Sequence, residues 1–171
     1  MKKERVSMQE SRVDKAERLF REGYNCSQAV VAAFCDLYEI DEELALRMSA
    51  SFGAGLGRMR EVCGAVSGMG IIAGLENGAT SGKDVAGKKA NYDLISSMAG
   101  EFKKNNGTII CRELLGLSDN KSTTGNGVMQ KVDTTPQVRN DQYYKTRPCV
   151  DKVRECAQIV EDYIINKKGM Q

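Results

Sequence analysis

Apolar residues recur along this chain at the spacing of one helix face, and no segment shows the alternation of a half-buried strand. Val13, Ala16, Leu19 and Phe20 form one stripe; Cys26, Ala29, Val30, Ala33 and Leu37 form a second. Leu44, Met48 and Phe52 mark a short third helix, with Asp41 placed to cap it and Glu42 and Glu43 in its first turn. Residues 63–75 are apolar and small enough for a buried helix. Asn91, Leu94, Ile95, Met98 and Phe102 share one face of a long helix over about 84–104, and a short helix at 111–115 is stopped by Gly116. Val153, Cys156, Ala157, Val160 and Ile164 line a last helix over about 148–166. The pattern predicts an all-α fold: a single-domain helical bundle of about six to seven helices spanning residues 1–171. The polar stretch 117–147 reads as a long connector before the last helix, wrapping the surface.

Charge and composition narrow the chemistry. The 25 basic and 23 acidic residues are interspersed and leave a net charge of +2, which argues against nucleic-acid and anionic-membrane partners. Met1-Lys2-Lys3-Glu4-Arg5 is charged, but no apolar run follows it, and no stretch approaches the ~20 apolar residues of a membrane span. A cytoplasmic protein is expected. The chain has no His, which removes Ser-His and Cys-His pairs, Cys–His zinc fingers and His-ligated haem. It has six Cys, and in a reducing compartment these point to metal chemistry, redox chemistry or core packing rather than structural disulfides.

No two of the cysteines form a Cys-x-x-Cys pair, so neither a zinc ribbon nor a ferredoxin loop is present. Four share a different property. Cys26 follows Asn25, with Gln28 placed for a capping box; Cys63 opens Gly64-Ala65-Val66-Ser67-Gly68; Cys111 opens the short helix; and Cys149 follows Pro148. Each therefore lies at a predicted helix start, where free N–H groups and the dipole favour an anion and should lower a thiol's pKa. Cys35 and Cys156 lie away from helix starts and read as packing residues. Gly64 and Gly68 are four apart on one helix face and suggest close approach by a backbone or a cofactor, with dimerisation through the same face as a competing use. Gly53-Ala54-Gly55-Leu56-Gly57 reads as a flexible turn leading to Cys63. It follows a helix and lacks Gly-Lys-Ser/Thr, so a nucleotide loop is not indicated.

Cys63-Gly64-Ala65-Val66-Ser67-Gly68 resembles the central motif of the C_GCAxxG_C_C redox-active family, although that label places Gly before Cys. Further matches are Gly23-Tyr24-Asn25-Cys26-Ser27-Gln28-Ala29, Phe52-Gly53-Ala54-Gly55, Cys111-Arg112-Glu113-Leu114-Leu115-Gly116 and Cys149. The resemblance covers about residues 12–165 and implies a redox role for Cys26, Cys63, Cys111 and Cys149, without naming a substrate.

Three site chemistries ask for the same four residues. They could ligate an iron–sulfur cluster for electron transfer. They could work without metal as thiol–disulfide groups, with Cys63 attacking and another resolving. They could hold a structural zinc ion in a non-enzymatic binding module. The first two would make the chain an electron-transfer protein or an oxidoreductase, served by a redox partner protein. Each requires at least two of the four distant helix starts to meet at one end of the bundle, since the spacings of 37, 48 and 38 residues bring nothing together locally.

Overall fold

A computed structural model describes residues 10–117 and 133–169, and its architecture is all-α. The N-terminal residues 1–9 and residues 118–132 of the polar stretch lie outside the described residues. Helix α1 (Arg12–Arg21) starts where the Ser11 hydroxyl accepts the Asp14 N–H, and it buries Val13, Ala16, Leu19 and Phe20. Helix α2 (Cys26–Phe34) is the hub. Ser27 and every residue from Ala29 to Phe34 are buried, as befits a helix that is apolar on all sides. A 3₁₀ turn, Cys35–Tyr38, ends at the left-handed Glu39. Then follow α3 (Glu42–Ser49), α4 (Gly64–Asn77), α5 (Val85–Asn106), α6 (Cys111–Leu114), α7 (Asp141–Thr146) and α8 (Cys149–Gly169).

Helices α1, α3, α4 and α8 surround α2, and α5 packs on α4. The core they enclose holds Phe20, Phe34, Met69, Ile72, Phe102, Val153 and Val160. Cys35 and Cys156 belong to it, and the Cys35 thiol donates to the Ala32 carbonyl at 3.3 Å. Among the described residues the one strand-like contact is a single antiparallel bridge between Val62 and Ile110. No helix among them is long and apolar enough to cross a membrane.

Two expectations are corrected. In α3 the buried residues are Ala45 and Ser49, whereas Leu44 and Met48 are exposed. The cause lies in α2. Gln28 donates to the Leu46 carbonyl at 3.1 Å and Asn25 to the Ala50 carbonyl at 2.8 Å. These bonds draw the backbone of this segment close, so small side chains face α2. The connector also contains a helix. Asn140 caps α7 by accepting the Tyr143 N–H at 2.9 Å. Tyr144 then packs edge-on against Phe20, and Tyr143 against Tyr144. Two aromatic side chains supply the apolar face that the polar composition around them conceals.

Candidate functional site

Three of the four helix starts are fixed by hydrogen bonds, locally at Cys26 and between distant segments at Cys63 and Cys111, and the fourth follows a proline. Asn25 accepts the Ser27 and Gln28 N–H groups at 3.0 Å, and Gln28 accepts the Asn25 N–H at 3.0 Å. This reciprocal box sets Cys26 as the first residue of α2. Cys63 is the N-cap residue of α4, and its N–H donates to the Ile109 carbonyl at 2.8 Å. Cys111 opens α6 and donates its N–H to the Glu61 carbonyl at 2.6 Å, while Arg112 donates to the Arg60 carbonyl at 3.1 Å. Segments 60–63 and 109–112 are thereby stitched together, with one cysteine on each. Cys149 opens α8 directly after Pro148.

The approach to Cys63 is ordered, which corrects the expectation of a flexible turn. Ala54 (φ 55°), Gly55 (φ 75°), Leu56 (φ 60°), Gly57 (φ 56°) and Arg58 (φ 68°) are all left-handed, as is Arg60 (φ 62°). The curl is held by Gly57 N–H to the Ser51 carbonyl at 2.8 Å and Glu61 N–H to the Gly55 carbonyl at 3.1 Å. Left-handed backbone costs a non-glycine residue roughly 1–2 kcal/mol. Four such residues in this short span mark a conformation imposed by its surroundings, as happens at ligand clamps and active sites.

Between the curl, the two stitched segments and the starts of α2 and α8 lies a cavity of about 410 Å³. Cys26, Cys63, Cys111 and Cys149 all line it, together with Gly64, Arg60, Arg139, Tyr143 and Arg147. Cys63 and Cys111 are buried, and Cys26 and Cys149 are half-buried. Cys35 and Cys156 do not line it. Of the two singled-out glycines, Gly64 borders the cavity: a Cβ there would stand 2.4 Å from the Cys26 sulfur and 2.8 Å from the Phe52 carbonyl oxygen. Gly68 instead admits α2, since its Cβ would meet the Ser27 carbonyl at 3.0 Å and the Val30 side chain at 3.1 Å. Both glycines face inward, so they offer no surface through which two copies could dimerise.

At Cys63, Cys111 and Cys149 the helix start does not leave the thiol acidic, contrary to expectation. Burial pushes the Cys63 thiol far up, and the nearby Cys26 and Cys111 add to the shift. The Ala65 and Val66 N–H groups oppose it, without forming a cap to the sulfur that meets hydrogen-bond geometry. Burial also raises Cys149, to about 11, against the pull of Arg147 and the Tyr143 hydroxyl. Cys111 is raised by burial as well, against Arg60, whose guanidinium lies 3.9 Å from its sulfur. Desolvation of a thiolate therefore outweighs the favourable dipole at these positions. Cys26 stands at the centre of the electrostatics, because its charge acts on Cys63, Cys111 and Cys149 alike.

The donor set, four thiols in a chain without His, suits iron–sulfur or zinc ligation. Among the described residues, however, no three Cys, Asp or Glu side chains are gathered tightly enough to hold one metal ion. Ligation would need the sulfurs to close in. The basic residues of the cavity wall were not singled out from the sequence. The signal was available: Arg60 precedes Cys63 by three residues, and Arg147 precedes Cys149 by two.

Comparison with protein families matches residues 24–163 to the family described as "Putative redox-active protein (C_GCAxxG_C_C)". Comparison with curated proteins and with solved structures found no match.

Proposed function

The chain belongs to the C_GCAxxG_C_C family of putative redox-active proteins, and we propose that Cys26, Cys63, Cys111 and Cys149 are its redox site, cycling between thiols and a disulfide. The observation that supports this reading most is the shared cavity: four cysteines from four separate helix starts line one space, and the two cysteines that do not line it are packed in the core. Cys26 is the common partner, with its sulfur against Gly64 and its charge felt by the other three. Cys63 is too buried, and its thiol too weakly acidic, to lead the attack. Half-buried Cys26 and Cys149 meet an incoming group first, and Cys63 resolves. Forming the disulfide releases two electrons and two protons to an oxidant; a redox partner protein in the cytoplasm returns them.

Treating the reduced protein with diamide, then alkylating under denaturing conditions and mapping peptides, tests this reading. A disulfide containing Cys26 is expected, with Cys35 and Cys156 still free. Four unoxidised cavity thiols, or a crosslink confined to Cys35 and Cys156, would overturn it.

A second reading rests on the cavity's basic wall, which would offset the negative charge of a four-thiolate iron–sulfur cluster. Anaerobic purification decides between them. Visible absorption with stoichiometric iron and sulfide would replace the thiol reading by electron transfer through a cluster, whereas stoichiometric zinc alone would make the site structural.

A further inference from the structure

Five cationic side chains line the cysteine cavity: Arg58, Arg60, Arg139, Arg147 and Lys152. Among the described residues no Asp or Glu lines it. A molecule of net charge +2 has no general excess of cations to place there, so the concentration is local. The pairing of the arginines sharpens the point. Arg12, Arg18, Arg21, Arg47, Arg58, Arg112 and Arg154 each pair with a carboxylate. Among the described residues the arginines without a carboxylate partner are Arg60, Arg139 and Arg147, and all three face the cavity.

Arg139 is committed to the fold. It donates to the Phe20 and Tyr24 carbonyls and lies 4.2 Å above the Phe20 ring. Arg60 and Arg147 are not so committed. Among the described residues Arg60 reaches no acceptor but the Cys111 sulfur, at 3.9 Å, and Arg147 donates one bond to the Gln137 side chain at 2.6 Å. Both are half-buried, so their charge is only partly screened by water. The thiols beside them do not neutralise that charge near neutral pH, because burial raises Cys111 and Cys149.

From this arrangement we infer that the cavity takes a small anionic substrate, a disulfide whose ends carry carboxylates, with Arg60 and Arg147 holding the charged ends beside Cys111 and Cys149. The inference rests on the thiol–disulfide reading above and names its substrate class. The volume, about 410 Å³, suits a small molecule rather than a protein segment. Guanidinium groups present paired donors that match a carboxylate. The chemistry balances within the pair. A cysteine thiolate attacks one substrate sulfur, the substrate S–S bond breaks, and one substrate thiolate leaves. A second cysteine then attacks the mixed disulfide, giving a protein disulfide and a second substrate thiolate. The two protons lost by the cysteines go to the two departing thiolates.

The test uses the full, reduced chain and two disulfides of similar size. One is 3,3′-dithiodipropionate, with two carboxylates; the other is bis(2-hydroxyethyl) disulfide, which is neutral. The charged compound is expected to oxidise the protein at least tenfold faster. That preference should fall about tenfold in Arg60→Gln/Arg147→Gln and shrink in 0.5 M NaCl, while Arg47→Gln, on an exposed helix face, keeps it. Equal rates for both compounds would overturn the inference and leave the thiol reading standing. Failure of both compounds to oxidise the protein would overturn the thiol reading. In that case iodoacetate against iodoacetamide at Cys149 still tests the anion site: faster labelling by iodoacetate, abolished in the double variant, upholds it, and no charge preference sinks it. Circular dichroism on the double variant confirms its fold; if it is unfolded, Arg147→Gln alone is read in the same assays and must lose part of the preference.

Discussion

Gly64 shows how one missing side chain serves both packing and chemistry. Its hydrogen occupies the space in which a methyl group would collide with the Cys26 sulfur at 2.4 Å and with the Phe52 carbonyl. The carbonyl belongs to the backbone leading into the left-handed curl and has little room to move. Gly64→Ala should therefore destabilise the fold by about 1–3 kcal/mol through overpacking, lowering Tm by several degrees, and should alter the reactivity of Cys26. Gly74, ten residues further along the same helix, is exposed and has nothing within 4 Å of its would-be Cβ. Gly74→Ala should instead raise stability by about 0.4–1 kcal/mol, by restricting the unfolded chain. Thermal unfolding of the two variants gives the comparison. A Gly64→Ala variant as stable as wild type would mean that the Cys26 sulfur is not seated against α4. The sequence exposed Gly64 as unusual because glycine inside a helix carries a cost. It gave no sign that Gly64 meets a cysteine 38 positions earlier, since that contact exists only once α2 and α4 have crossed.

Elements whose ends are written in local chemistry were legible, and those imposed by tertiary contacts were not. Asn25, Asp41 and Asp84 each cap the helix expected after them, because a cap acts within three residues of its own position. The curl after α3 is the opposite case. Glycines at 53, 55 and 57 suggested mobility, but the left-handed path also carries Ala54, Leu56, Arg58 and Arg60, which no local preference would put there. Hydrogen bonds to Ser51 and Gly55, and the stitching of 60–63 to 109–112, enforce it. The strain is measurable. Leu56 is 42% exposed, so replacing it sacrifices little packing. Leu56→Gly should be neutral or stabilising by up to about 1 kcal/mol, whereas Leu56→Val should cost roughly 1 kcal/mol or more, because a β-branched residue resists the left-handed region. Denaturant unfolding of both variants measures this. If glycine is the more destabilising of the two, the curl is not left-handed at Leu56.

At the scale of the whole molecule, the chain buries its thiols, and that has consequences for its stability at alkaline pH. Cys35, Cys63, Cys111, Cys149 and Cys156 are all raised, with burial as the leading cause in each case. Composition reported six cysteines but not this environment, just as a net charge of +2 concealed a cavity walled by five cations. Both are properties of convergence. In the unfolded chain a thiol ionises near ~8.5. Above that pH the unfolded chain releases protons that the folded protein keeps, so rising pH pulls the equilibrium toward unfolding. The stabilisation is complete below about pH 8.5 and is lost as pH climbs toward the folded values; for Cys149 the loss continues to about pH 11. Each thiol contributes at most about 1.4 kcal/mol per pH unit in that window. The reduced, metal-free protein should therefore show a Tm that is flat from pH 7 to 8 and falls steadily from 8.5 to 9.5, below the range where Lys and Tyr titrate. Cys156→Val removes one fully buried thiol and should make the fall shallower, whatever it does to Tm at pH 7. Oxidation of the cavity cysteines should flatten it further, because a disulfide has no proton to lose. A Tm that stays constant to pH 9.5 in the reduced protein would show that these thiols are solvated in solution.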